Sequence, residues 1–345
     1  MIDIFPISFA VGLIFIFSRK FLNKFQRPEK KQPQNLHKKS VSRFGGAAIF
    51  ISLFLVTIID QTQDYDLLRT TLLCSFIAFI MGFLDDFRIT LPPVVRLGIL
   101  FPSSLLAYIL LDIQAYDIGI PIFDFLFDYK LFSTVFICIA LSGIVNAFNM
   151  IDGINGLVLT YVLTICISTL TLSQNYLEGQ TNLLFVALFF SCLGIYVLNF
   201  PSGRIFLGDG GAYFLGMAVS IALIKHYQEN SFSPWYVMCI LIYPVTDTFA
   251  TIFRRLIEKT SALEPDNRHF HHMFYLRFKK SKIKSEKKLH ILTSSSLFIL
   301  YTPFVVGANI FPKDTNILIF LCITFVTFYI LMYLLLAPKD LKIIK

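Results

Sequence analysis

Five short polar segments of this 345-residue chain combine residue types that handle phosphates and hard metal ions. Asp85 and Asp86 are adjacent carboxylates, which repel each other unless a cation compensates. Such a pair can serve as a general base or as metal ligands, or simply as solvated charges at a helix boundary. Asn146, Asn149 and Asp152 recur at steps of three and so share one helix face. They lead into Gly153-Ile154-Asn155-Gly156, a strong turn signal in which Asp152 could equally be a plain turn residue. Asp209 lies in Leu-Gly-Asp-Gly-Gly, where glycines let the backbone approach a phosphate and where an aspartate can also cap a helix. Asp209 together with Asp85, Asp86 or Asp152 makes an oxygen-only ligand set, which suits Mg²⁺, with Mn²⁺ as the alternative ion. Arg268, His269, His271 and His272, beside Asp266, gather donors that match phosphate oxygens. Zinc at these histidines would need a fourth ligand. Lys38, between His37 and Lys39 and ahead of Arg43 and Gly45-Gly46, reads as phosphate-binding or as an ordinary basic patch. Asp247 falls inside an apolar run that ends in Arg254-Arg255, where an internal ion pair competes with a catalytic role.

The elements that must position these residues are membrane helices. Hydrophobic residues make up 56% of the chain and charged residues 15%, too few charges to cover a soluble globule of this length. Eleven apolar stretches approach the 20 or so residues that cross a bilayer: 4–21, 44–60, 67–84, 94–111, 131–150, 156–173, 183–199, 211–227, 235–253, 289–309 and 316–337. The fold class expected is all-α, a polytopic integral membrane bundle of about eleven transmembrane helices forming one domain over 1–345. No repeat or soluble domain interrupts it. The first stretch lacks a basic flank and a convincing cleavage site, so it reads as a retained helix. All six cysteines lie inside apolar stretches as small hydrophobes, with neither a disulfide framework nor a zinc spacing.

Orientation follows from the basic residues. The net charge of +8 is scattered over short loops rather than one folded face, which argues against nucleic acid as a partner. Alternate loops on the C-terminal side of the membrane hold 26 of the 30 Lys and Arg. The positive-inside rule therefore expects the N-terminus outside and the C-terminus in the cytoplasm. The loops at about 18–43, 85–96, 146–156, 199–210 and 254–290 are then cytoplasmic, and every polar cluster named above falls in or beside one of them. The basic run Lys279–Lys288 fits an anchor against anionic lipid.

Taken together, the segments from His37 to His272 resemble the polyprenyl-phosphate N-acetylhexosamine-1-phosphate transferases (glycosyltransferase 4). These include the undecaprenyl-phosphate GlcNAc-1-phosphate transferases and, more distantly, the phospho-MurNAc-pentapeptide translocase of peptidoglycan synthesis. The resemblance implies that Lys38 contacts phosphate, that Asp85 and Asp86 sit near the lipid phosphate as candidate bases, and that Asn146, Asn149 and Asp152 form the NxxNxxDG segment. It makes Asn199, Arg204 and Asp209 the stretch that ends in the magnesium ligand. Arg268, His269, His271 and His272 become the loop that selects and holds the sugar nucleotide. Three departures stand out: Ser40 and Ser42 replace the usual prolines, Asn155 replaces the second aspartate of DGxDG, and the histidines read His-x-His-His. The last favours the N-acetylhexosamine branch.

The activity so implied is transfer of N-acetylhexosamine-1-phosphate, GlcNAc-1-phosphate foremost, from a UDP-sugar to undecaprenyl phosphate, with release of UMP. It would initiate a cell-envelope polysaccharide such as O-antigen. Asp85, Asp86 and Asp152 would be catalytic; Lys38, Asn146, Asn149, Asn199, Arg268, His269, His271 and His272 would bind substrate; Asp209 would hold Mg²⁺. The setting is the bacterial inner membrane with the site facing the cytoplasm, and family members are often homodimers. The peptidoglycan translocase is the alternative enzyme. A transporter of an anionic solute is the alternative of another class, and it would place charges nearer the bilayer midplane.

Overall fold

The computed structural model describes residues 4–18, 41–87, 91–113, 118–173, 178–259, 268–281 and 283–336. These residues form fourteen α-helices, a single 3₁₀ turn at Gln63–Tyr65, and an isolated parallel bridge between Ser42 and Ile205. In chain order the helices are α1 (Ile4–Phe17), α2 (Gly45–Ile59), α3 (Asp66–Asp86), α4 (Pro93–Leu110), α5 (Pro121–Phe127), α6 (Lys130–Ile151) and α7 (Leu157–Leu170). There follow α8 (Gln180–Asn199), α9 (Gly208–Asn230), α10 (Pro234–Ile240), α11 (Ile242–Ile257), α12 (Phe270–Lys280), α13 (Glu286–Ile310) and α14 (Thr315–Leu336).

Each of the eleven apolar stretches coincides with helix. Among the described residues, five segments are by length and composition alone apolar enough to cross a membrane: Gln63–Asp86, α6, α8, α13 and α14. The pair α10 and α11 passes the same test only when taken together, bent by 78° at the break, the shape of a broken span or a re-entrant loop. Helices α1, α2 and α7 are 14 or 15 residues long. At 1.5 Å per residue they fall short of a hydrocarbon core about 30 Å thick.

Helix α9 is the axis of the bundle and is buried along most of its length. Its neighbours approach through glycine, as is usual where helices pack without a hydrophobic driving force between them. A Cβ on Gly46 of α2 would come within 2.0 Å of Gly211 Cα, one on Gly82 of α3 within 2.4 Å of Asp209 O, and one on Gly216 within 2.8 Å of Val145 Cα on α6. Three helices therefore clamp the first three turns of α9. Large apolar side chains cover the outside, among them Leu131, Phe320, Ile323 and Leu335, as expected of a surface that meets lipid.

Candidate active site

The site is built around the N-terminus of α9. The first amides of a helix have no intrahelical acceptor and attract negative charge. Here Asp86, the last residue of α3 and only 1% exposed, supplies it. Its Oδ1 accepts a hydrogen bond from Asp209 N at 3.2 Å and its Oδ2 one from Gly210 N at 3.1 Å. Arg43 Nη1 lies 3.7 Å from the same carboxylate. Gly208 makes the approach possible: it has φ +81°, and a Cβ there would strike Arg43 O at 2.2 Å and Asp86 Oδ2 at 2.7 Å. Just upstream, Gly45 N and Gly46 N donate to the carbonyls of Phe206 and Leu207 at 2.9 and 2.8 Å. The segment carrying Arg43 is thereby fixed beside the start of α9.

Asp85 pairs instead with Arg96, a cation just inside α4. Arg96 Nη2 lies 2.8 Å from Asp85 Oδ2, and its Nε donates to Leu91 O at 3.0 Å. Arg96 also interacts electrostatically with Tyr213 on α9, and Tyr213 OH accepts from Asn149 Nδ2 at 3.3 Å. Asp85, Arg96, Tyr213 and Asn149 thus form a chain across α3, α4, α9 and α6. Tyr213 carries one sequence signal, its position one turn after Asp209 on the same helix face.

The turn after α6 holds Asp152 against this centre. Asn199 ties it down: Oδ1 accepts from Gly156 N at 2.6 Å and Nδ2 donates to Ile205 O at 2.7 Å. Both ends of that amide are engaged by backbone, so Asn199 holds two loops together. Asn155 N donates to His290 Nδ1 at 3.3 Å, a second tether from α13. Asn146 Nδ2 faces Met150 Sδ at 3.4 Å. Burial pushes the Asp152 carboxyl up to about 7, with nearby Asp209 adding to the rise and Arg43 opposing it.

The histidines close the site from the other side. His271 and His272 press on Gly153, where a Cβ would lie 2.5 Å from His271 Nε2 and 3.4 Å from His272 Nε2. The His269 and His271 rings are parallel with centroids 5.6 Å apart, and His272 lies 4.1 Å from His271. His271 is fully buried and both its ring nitrogens lack a hydrogen-bond partner among the described residues. Burial, and after it His272 and His269, push its pKa well below the usual imidazole range. Arg268 forms a two-pronged pair with Glu258, at 2.8 and 2.5 Å. Asp247 is fully buried, and its hydrogen-bond partners are His269, the Phe270 N–H and Tyr329; of the two roles the sequence leaves open, these contacts include no ion pair with Arg254 or Arg255.

Of the sequence-derived site residues, the structure brings together Asp85, Asp86, Asn149, Asp152, Asn199, Asp209, His269, His271 and His272, with Asn146 one turn away and Arg268 at the edge. Lys38, with His37, Lys39 and Asp266, lies outside the described residues. Among the described residues no three His, Cys, Asp or Glu side chains form a ready-made metal cage. Asp152 lies close enough to Asp209 and Arg43 to feel both charges, and carboxylate oxygens are the donor type that Mg²⁺ takes alongside phosphate oxygens and water.

Comparison with known proteins gives this arrangement a context. Residues 68–227 match the family model described as glycosyl transferase family 4. That stretch holds Asp85, Asp86, Asn146, Asn149, Asp152, Asn199 and Asp209, and stops short of the histidines. The chain is 27% identical over 296 residues to the undecaprenyl-phosphate alpha-N-acetylglucosaminyl 1-phosphate transferase of Thermotoga maritima, covering 84% of each chain. To the proteins of that name in Escherichia coli K12 and Salmonella typhimurium LT2 it is 26% and 29% identical, covering 79% and 77% of this chain and 75% and 74% of theirs. The chain is therefore a helical membrane protein similar over most of its length to undecaprenyl-phosphate N-acetylglucosaminyl 1-phosphate transferases, with the glycosyl transferase family 4 match lying across its candidate catalytic centre.

Proposed function

We propose that this chain is a transferase that moves N-acetylhexosamine-1-phosphate, most readily GlcNAc-1-phosphate, from a UDP-sugar to undecaprenyl phosphate and releases UMP. The observation that carries the reading is the meeting of Asp86, Asp152 and Asp209 with Arg43 at the start of α9, against three packed imidazoles. Such a site offers carboxylates for a metal and for protons, and cationic or neutral donors for a diphosphate. An oxygen of the lipid phosphate attacks the β-phosphorus, forming the new P–O bond. The bond from that phosphorus to the bridging oxygen breaks, and its electron pair leaves with UMP.

The residues divide this work by their surroundings. Asp209 would hold Mg²⁺, whose charge would offset that building on the transferred phosphoryl group. Asp152 accepts the proton of a lipid phosphate that arrives still protonated. Asp86 fixes the first turn of α9, and Asp85 aims Arg96 at the same centre. His269, His271 and His272 would meet the sugar nucleotide, a task the sequence also assigns to Lys38. The lipid enters sideways between helices and the nucleotide from water, so the reaction belongs where helix ends meet the cytoplasmic face of the bacterial inner membrane. The product would begin an envelope polysaccharide.

The test is UMP release from UDP-GlcNAc by the purified chain with undecaprenyl phosphate, with and without Mg²⁺. Release that needs lipid and metal and disappears in Asp209→Asn supports the reading. Silence with every UDP-N-acetylhexosamine, from folded protein, overturns it.

A further inference from the structure

Asp247 lies on α11, and the reaction as described gives it no task. It is nonetheless 0% exposed, and a buried carboxylate is costly unless its oxygens are satisfied. Its hydrogen bonds converge on one place. Oδ2 lies 2.9 Å from His269 Nδ1, while Oδ1 accepts from Phe270 N at 2.9 Å and from Tyr329 OH at 2.7 Å. The second of these caps α12, the helix that carries His271 and His272. The third comes from α14, the last helix described. Thr251 Oγ1 adds a contact to His269 Nδ1 at 3.3 Å.

A carboxylate can only accept hydrogen bonds, so Nδ1 of His269 must carry the proton. Nε2 is then the ring's one remaining polar atom for a ligand. The choice between ring nitrogens is commonly set by the bond the other nitrogen makes. The parallel stacking of His269 on His271 passes this placement to the rest of the cluster.

We propose that Asp247 is the positioning residue of the sugar-nucleotide loop. By binding His269 Nδ1 and capping α12 at Phe270, it fixes the tautomer of His269 and the location of all three imidazoles. Tyr329 makes α14 part of that device. The inference rests on the transferase reading and adds to it a residue that acts through His269 without touching substrate.

Asp247→Asn separates this role from a merely structural one. An asparagine Oδ1 can still accept from Phe270 N and Tyr329 OH, but its NH₂ now faces His269 Nδ1 and selects the opposite tautomer. In the full-length purified chain, with UDP-GlcNAc varied at saturating undecaprenyl phosphate, donor KM should rise about 10- to 100-fold while kcat stays within about threefold. The double variant Asp247→Asn/His269→Gln should be no worse than His269→Gln alone, because coupled residues are non-additive. Nitrogen-15 spectra of labelled histidine should show the His269 tautomer reversed. An unchanged KM, an unchanged tautomer, or additive losses would each overturn the proposal. If Asp247→Asn fails to fold by thermal melting, Tyr329→Phe with His269→Gln forms the same cycle, and additive losses there overturn it too. If the wild-type chain itself turns over no UDP-sugar, the transferase reading falls, and the tautomer measurement still decides whether Asp247 governs His269.

Discussion

Asp86 binds the backbone amides of Asp209 and Gly210 with both carboxylate oxygens, joining the end of α3 to the start of α9 across more than 120 residues of sequence. One aspartate of the adjacent pair thus builds the turn that presents another aspartate of the site. Asp86→Ala leaves two buried amides without acceptors and should destabilise the protein by about 1–3 kcal/mol per orphaned group. Asp86→Asn keeps one acceptor and should lie between. Thermal melts in detergent order the three proteins, and activity should fall in the same order.

Arg96 and Asp85 form the second fixed pair, and removing one partner strands a buried charge. Arg96→Leu should cost about 3–5 kcal/mol, the range for breaking such a pair. Arg96→Leu/Asp85→Asn should recover much of that stability without recovering activity, because the link to Tyr213 and Asn149 stays broken. Arg96→Lys should preserve stability better than turnover, since a lysine cannot hold Asp85 and Tyr213 with one planar fork. A double-mutant cycle read by melting and by rate tests both statements.

Much of this centre was legible in the sequence because its residue types are out of place among apolar runs. The aspartates, the Asn-x-x-Asn-x-x-Asp register and the histidines all declared themselves, and the structure gathers those it describes around α9. What the sequence hid were partnerships. Arg96 looked like an ordinary charge before a span, because its pairing with Asp85 exists only once α3 and α4 are packed. For Asp247 the sequence leaves an ion pair with Arg254-Arg255 and a catalytic role both open, because α12 and α14 approach it only in the folded bundle. The break between α10 and α11 interrupts a continuous apolar run. Its one local signal was Pro244, which sits in the first turn of α11 where a missing N–H is tolerated.

Asp152 gives the protein a pH dependence of definite sign. Its folded-state value of about 7 lies above that of an unfolded aspartate, so between the two the folded state binds more protons. Its contribution to stability is complete below about pH 4 and is lost as pH rises through about 7. Activity that needs the carboxylate form should rise over the same interval. Melting temperatures and initial rates across pH 5.5–8.5 should therefore move in opposite directions, and Asp152→Asn should flatten the stability trend when measured without divalent metal.

Gly153 marks where the histidines meet the Asp152 turn. A methyl group there would sit 2.5 Å from His271 Nε2, so Gly153→Ala must push that ring aside. Donor KM should rise by about tenfold or more, a loss of binding worth some 1.4 kcal/mol. The melting temperature should change little, because the displaced ring lies at the site and not under the bundle core. A large fall in melting temperature with unchanged KM would show that the contact is only structural.

The central claim is that the chain transfers a phosphosugar and not a bare sugar. UDP-GlcNAc carrying a labelled β-phosphate, incubated with the purified chain, undecaprenyl phosphate and Mg²⁺, decides it directly. The label should move into the lipid fraction together with the sugar, the mass of the lipid should rise by one N-acetylhexosamine phosphate, and unlabelled UMP should be released. Label left behind in released UDP, with only the sugar on the lipid, would contradict it.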